Sequence, residues 1–133
     1  MDHLRKKIVV ERDGFHHLVF VGLRAKSALV FAEDIARLQN KITTIVEESH
    51  HVRACAFFGN EARIEDDLQF GFHAIFDTEN GLDSVRARAD HIALMDWFDR
   101  VSNGRRVEIN AVVENGQRRG SNRIPGRGLL TRP

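Results

Sequence analysis

Three histidines, His17, His73 and His91, give this sequence its clearest chemical potential, and each lies in a different predicted element. A neutral imidazole has an unperturbed pKa of ~6.5, so it can take up a proton near neutral pH and return it. Two imidazoles across one pocket could act as the base for a carbon-bound proton and as the donor to a developing alkoxide or enolate. The residue types therefore predict acid–base chemistry on a carbonyl compound if the fold brings them together.

Each histidine also has a purely structural interpretation. His17 could be hydrogen-bonded to backbone at a strand edge, and His73 could be a satisfied polar residue at the sheet surface. His91 could be an exposed first-turn residue of a helix capped by Asp90. Three imidazoles also suffice for a catalytic zinc ion, and His91 or His73 could be an axial haem ligand. No local metal motif supports these two alternatives, so neither metal nor cofactor is expected.

Other catalytic chemistries have less support. The single cysteine, Cys55, lies in an alternating apolar strand, where a free thiol usually acts as a small buried hydrophobe. The serines lack a GxSxG context, and the glycines form no phosphate-binding loop. The sequence therefore predicts neither nucleophilic catalysis nor a nucleotide cofactor.

The elements that would position the histidines follow from the spacing of apolar residues. Strands are predicted over residues 17–23, 52–59, 68–76 and 107–113, where apolar residues form short runs or alternate. A helix is predicted over 28–48, where five apolar residues share one stripe, and a second helical region over 82–102 in two pieces. Asp90 is predicted to cap the second piece, and Asn103-Gly104 to end it.

This order of elements predicts an α+β protein of the ferredoxin-like βαββαβ type, with both helices on one face of an antiparallel sheet. His17 and His73 would lie on adjacent strands, and His91 would open a helix over that sheet, so all three are expected to converge. The first three strands carry apolar side chains on both faces. The face without helices therefore predicts a homodimer, formed sheet against sheet.

A family resemblance is carried by His16-His17-Leu18-Val19-Phe20, Phe72-His73 and Ala89-Asp90-His91-Ile92-Ala93. These segments resemble the stress-responsive A/B barrel (Dabb) family over about residues 15–113. The resemblance implies a dimeric α+β barrel, and it suggests a cofactor-independent enzyme of the polyketide-cyclase or lyase type that performs an aldol-type condensation.

The resemblance also implies roles for individual residues. His91 matches the base of a plant polyketide cyclase of the family, and His73 and His17 match histidines that would orient or polarise the substrate. The chain departs from the family's His-Pro-Ala-His signature at Arg88 and Ala89. It also has Val85 where that enzyme uses a tyrosine, and it contains no tyrosine.

The expected ligand is a small apolar carbonyl or phenolic compound. Phe20, Phe72 and Trp97 are predicted near the pocket wall, although each could instead belong to the core. The alternative to an enzyme is a non-catalytic, stress-responsive ligand-binding homodimer, and a lesser one is a haem-binding dimeric α+β barrel.

The chain's 133 residues suit one domain, here predicted at 15–114 between an extension at 1–14 and a tail at 115–133. Without an apolar span or secretory signal, a cytoplasmic location is expected and membrane binding is not.

The predicted tail carries most of the charge asymmetry. It holds five arginines and no acid, which leaves 15 basic against 19 acidic residues in 1–114. No aromatic residue interleaves with the arginines, so nucleic-acid binding is not expected. The tail is expected to be solvated or to lie on the acidic body of its own or a second subunit. If it crosses a dimer, Arg123 or Arg127 could bind a substrate carboxylate.

Overall fold

A computed structural model describes residues 12–58, 67–115, 117–122 and 128–132 of the chain. Within these ranges the elements are β1 (Gly14–Leu23), α1 (Ala28–Glu48), β2 (Val52–Phe58), β3 (Phe70–Phe76), α2 (Glu79–Arg86), α3 (Ala89–Val101), β4 (Ser102–Glu114) and β5 (Gln117–Asn122). Most of the predicted N-terminal extension lies outside the described residues.

The two helical regions form where the periodicity predicts them. α1 has the predicted bounds because its apolar stripe is buried and because Ser27 caps its N-terminus. The Ser27 hydroxyl accepts a hydrogen bond from the Val30 N–H at 3.1 Å. The second region is divided into α2 and α3, as expected. The predicted cap of α3 is wrong, since Arg88 is the N-cap and Asp90 is already helical. Asn103-Gly104 lies within β4 rather than in a separating turn.

The strands form one antiparallel sheet in the order β2-β3-β1-β4-β5. The first four strands with the helices are the predicted ferredoxin-like arrangement. β5 is an addition to this arrangement, formed by residues that the sequence predicts as part of the tail. Asn115 adopts a left-handed φ of 53°, which reverses the chain so that 117–122 can pair with β4. The sheet therefore continues past the predicted domain boundary at residue 114.

Strand alternation gives the sheet two chemically different faces. The inner face packs against the helices, and from β1 it contains Phe15, His17, Val19 and Val21, all in or beside the core. The outer face is opposite and receives the intervening residues of each strand. On β3, the partners of these inner residues are Phe76, Ala74, Phe72 and Phe70. Which face a histidine occupies is therefore fixed by its position along the strand.

No helix in the described ranges is long and apolar enough to cross a membrane.

Candidate functional site

His17 lies on the inner face of β1 and is fully buried. Its Nδ1 lies 2.5 Å from Oδ1 of Asn110 on β4. The Asn110 amide orientation is fixed, because its Nδ2 donates to Glu108 Oε2 at 2.9 Å. The His17 Nδ1 therefore carries the proton, and Nε2 is left as an acceptor for the backbone N–H of Leu129 at 3.0 Å.

His91 is also buried, so its interpretation as an exposed first-turn residue is wrong. At the break between α2 and α3, His91 Nδ1 donates to the Arg86 carbonyl at 3.1 Å. Because a carbonyl only accepts, Nδ1 carries the proton. Nε2 then accepts from the backbone N–H of Leu130 at 3.0 Å.

The two histidines thus meet two consecutive residues of one segment, which we call the 128–132 turn. The interior space that it fills is the histidine compartment, bounded by His17, His91 and the inner face of β4. Arg106, Glu108 and Asn110 form a polar wall on that strand, with Arg106 Nη2 3.0 Å from Glu108 Oε1. The compartment therefore combines two proton acceptors, a carboxylate and a guanidinium inside an apolar core.

Burial keeps both imidazoles of the compartment neutral. It lowers the pKa of His17 to about 4, although the hydrogen bond to Asn110 and the charge of Glu108 act in the opposite direction. It likewise lowers the pKa of His91 to about 4, against the hydrogen bond to the Arg86 carbonyl. At neutral pH the two side chains are therefore hydrogen-bond acceptors at Nε2 and carry no charge.

His73 does not join this compartment, which corrects the prediction that the three histidines converge. Leu18, not His17, lies opposite His73 in the register, so His73 points to the outer face. There its Nε2 is 3.0 Å from Nδ1 of His16, whose own Nε2 donates to the Arg12 carbonyl at 2.5 Å. His73 Nε2 is thus the donor within the pair. Burial and the neighbouring His16 lower the pKa of His73 to about 4.

The three aromatic residues that are predicted near the pocket wall, Phe20, Phe72 and Trp97, do not lie together. Phe72 lies on the inner face, with its ring edge-on to His17 at a centroid distance of 6.0 Å. Phe20 lies on the outer face and stacks on Phe58 at 5.7 Å. Trp97 is partly buried on α3 under the guanidinium of Arg37, 5.4 Å from its ring centroid. Of the three, Phe72 is the one that adjoins the histidine compartment.

The polar wall and the 128–132 turn are not predicted by the sequence. β4 alternates, but its apolar residues Val107 and Ile109 are 39% and 50% exposed while Glu108 and Asn110 face inward. This is the reverse of the usual amphipathic arrangement. Leu129 and Leu130 did carry a signal, as an adjacent apolar pair within an arginine-rich segment.

The described part of the tail lies on its own chain, one of the expected alternatives. Arg132 contacts the carboxylates of Asp96 and Asp99 on α3 at 2.9 and 2.8 Å. Arg123 and Arg127, proposed for carboxylate binding, lie outside the described residues. Among the residues that are described, no three His, Cys, Asp or Glu side chains are placed to hold a metal ion.

Together the sheet order and the helix packing define an α+β protein of the ferredoxin-like class. Solved structures show the same fold. A Dabb family protein from Mesorhizobium loti has a TM-score of 0.61 at 18% identity, covering 77% of this chain and 99% of that one. The resemblance to Dabb proteins is therefore confirmed at the level of the fold.

Two further structures have the same TM-score of 0.61. One is a dimeric ferredoxin-like protein of unknown function from Thermobifida fusca, at 14% identity over 80% of this chain and 97% of that one. The other is a hypothetical protein from Arabidopsis thaliana, at 11% identity over 77% and 90%. No protein-family model and no curated protein matches the sequence.

Proposed function

We propose that this protein is a Dabb-type homodimer that binds a small, mostly apolar phenolic or carbonyl compound in the histidine compartment. The observation that carries the proposal is the pair of buried Nε2 acceptors of His17 and His91, which the backbone N–H groups of Leu129 and Leu130 occupy in this structure. Neutral acceptors in an apolar core match a ligand with hydroxyl donors and an apolar body. Two Nε2 acceptors would hold the hydroxyls of a phenolic or enolic compound at fixed positions.

Binding is better supported than the catalysis that the sequence placed first. A general base works best with a pKa near the operating pH, and both imidazoles have a pKa of about 4. His73, the other histidine that is expected to act together with His91, lies on the opposite face of the sheet. The compartment therefore supports a ligand-binding homodimer more directly than an aldol-type cyclase.

Catalysis remains the second candidate because of one observation, the fixed tautomer of His91. The Arg86 carbonyl holds the proton on Nδ1, so Nε2 is the acceptor nitrogen, which the Leu130 N–H occupies in this structure. If the compartment were opened to water, the desolvation that lowers the pKa of His91 would diminish and the imidazole would become a stronger base. Cofactor-independent lyase chemistry on a carbonyl ligand would then rest on His91, with His17 as the second group.

The proposed site is tested with two matched histidine variants. His91→Leu removes an acceptor from the compartment, whereas His73→Leu removes a buried histidine from the outer face. We screen β-keto acids, phenolic acids and haemin by thermal shift on the parent and both variants. A ligand at about 100 times its Kd adds about 2.7 kcal/mol, which raises the Tm of a domain of this size by about 8 °C.

A phenolic or carbonyl compound should stabilise the parent and His73→Leu but not His91→Leu. Equal stabilisation of both variants would place the ligand elsewhere and contradict the proposal. Haemin binding that depends on His73 would instead favour the haem alternative. Turnover of a bound ligand, followed by mass spectrometry, would decide in favour of the enzyme.

The homodimer is proposed from the outer face of the sheet. Val107 and Ile109 are exposed there beside Leu18 and Phe20, which pair with them across β1 and β4. Neighbouring apolar side chains on one sheet face are typical of an interface. The similar structure from Thermobifida fusca is described as dimeric. A second copy of this chain, packed sheet against sheet, is therefore the proposed occupant.

Replacing both exposed residues, Val107→Lys and Ile109→Lys, is expected to weaken self-association at least tenfold, because each chain then buries two unpaired charges at the interface. Sedimentation velocity over a concentration series measures the change. The matched control is Ile92→Lys on α3, a residue of similar exposure (38%) on the helical side. Loss of dimer in the control, or none in the double variant, would contradict the proposed interface.

A further inference from the structure

The backbone of the 128–132 turn is recognised along its length by side chains from separate elements. Its Leu129 and Leu130 N–H groups donate to His17 and His91. The carbonyls of the same two leucines accept from Arg106, at 2.7 and 3.3 Å. The Arg132 carbonyl accepts from Arg86 in α2. Histidine acceptors and arginine donors thus match both polar groups of a peptide chain, as a peptide-binding site would.

The side chains of the turn are held as well as its backbone. Leu129 and Leu130 are 3% and 2% exposed, and both belong to the core that the helices and sheet share. At the rim, Arg132 bridges the two acidic residues of α3, Asp96 and Asp99. The site therefore recognises two adjacent apolar side chains followed by a cation.

The 128–132 turn has an unfavourable backbone conformation that its surroundings must stabilise. Leu130 has a φ of 61°, in the left-handed region that a leucine rarely adopts. Gly128 lies against the His17 ring so closely that a Cβ would overlap it. The Thr131 hydroxyl donates to the Gly128 carbonyl and closes the turn. Only glycine fits at the histidine, so the sequence of the turn is specific to this site.

We propose that the histidine compartment is a receptor for a short peptide turn of the Gly-Leu-Leu-Thr-Arg type, filled in cis by residues 128–132. The turn occupies both Nε2 acceptors, so a small ligand must displace it. This competition rests on the proposed function, whereas the recognition of the peptide does not. The 128–132 turn is thereby an internal competitor that sets the apparent affinity of the site.

The test supplies the peptide in trans to a full-length chain whose own turn cannot bind. In the double variant Leu129→Ser/Leu130→Ser the apolar anchors are removed while the receptor residues remain. The probe is a synthetic peptide of residues 126–133, measured by isothermal titration calorimetry. Its matched control carries N-methyl groups on the Leu129 and Leu130 amides, which removes both donors but keeps both side chains.

We expect the double variant to bind the unmodified peptide at least tenfold more tightly than the methylated one, and the parent to bind neither. A folded double variant that binds neither peptide, or binds both equally, would overturn the proposal. Dispersed amide signals in a ¹H–¹⁵N spectrum show whether the variant is folded.

A second variant covers the case in which the double variant does not fold. A protease site placed within residues 123–127 lets the parent chain fold before the turn is cut from it. We expect the cut turn to stay bound and to exchange with excess labelled peptide. Immediate release, with no affinity for added peptide, would contradict the inference. A phenolic ligand that binds the cut chain without displacing the peptide would contradict the competition but not the recognition of the peptide. If no small ligand binds at all, only the proposed function is contradicted.

Discussion

Acidification from pH 7 to pH 4 is expected to cost this protein about 3 kcal/mol of unfolding free energy for each of the buried histidines His17, His73 and His91. All three have a folded pKa of about 4, whereas an unfolded histidine titrates at ~6.5. Below pH 6.5 the unfolded chain therefore binds protons that the folded chain does not. The stability is fully present above pH 6.5 and is lost as the pH falls towards 4.

Urea unfolding at intervals between pH 7.5 and 4.5 measures this loss. The range isolates the histidines, because carboxylates whose pKa is lowered, such as Glu108, begin to cost stability only below about pH 4.5. His91→Leu should be less stable at pH 7, where it leaves the Leu130 N–H without its acceptor, but its pH dependence should be shallower. A parent whose stability stays constant over the range, or whose His91 titrates near 6.5 by NMR, would contradict this expectation.

Phe72→Ala is expected to destabilise the fold by about 3–5 kcal/mol, the usual cost of removing a phenyl ring from a closed core. Phe72 is 0% exposed and packs edge-on to His17 inside the sheet–helix core. The matched variant is Phe20→Ala, on the outer face, where the ring is only partly buried. We expect Phe20→Ala to cost less than half as much in the monomer.

Chemical denaturation of both variants at one pH, under conditions that keep the chain monomeric, compares the two losses. Phe72 was predicted as a wall of the ligand site, and the comparison separates that role from a core role. If Phe72→Ala retained its stability and lost only ligand binding, the ring would be a ligand contact and the core assignment would be wrong.

The sequence predicts the fold well because the local signals agree with the global arrangement. α1 follows from a single apolar stripe, and its bounds are set by residues on either side of it. β5 could not be predicted, since its sequence is polar and it forms as an edge strand paired with β4. Asn103-Gly104 looked like a turn because neither residue favours a strand, yet β4 begins at Ser102. Tertiary pairing outweighs local propensity at both positions.

The candidate site was only half predictable. His17 and His91 were found from their residue type and from the family resemblance, and the structure places both at one compartment. The sequence predicts His73 at the same site because it lies on the adjacent strand, but a shift of one residue in register reverses the face of a side chain. The partners of these histidines lie far along the chain, and no local pattern links Leu129 to His17.

That separation has a consequence for how the protein is made. His17 is synthesised 112 residues before Leu129, the residue that satisfies its Nε2. A contact of such long range forms late and slowly, because the loop between the two ends must close first. During folding, the Nε2 acceptors of His17 and His91 lack their backbone partners until the 128–132 turn docks. Under the proposed function, a small molecule that is present during folding can reach these two acceptors without having to displace the chain's own leucines.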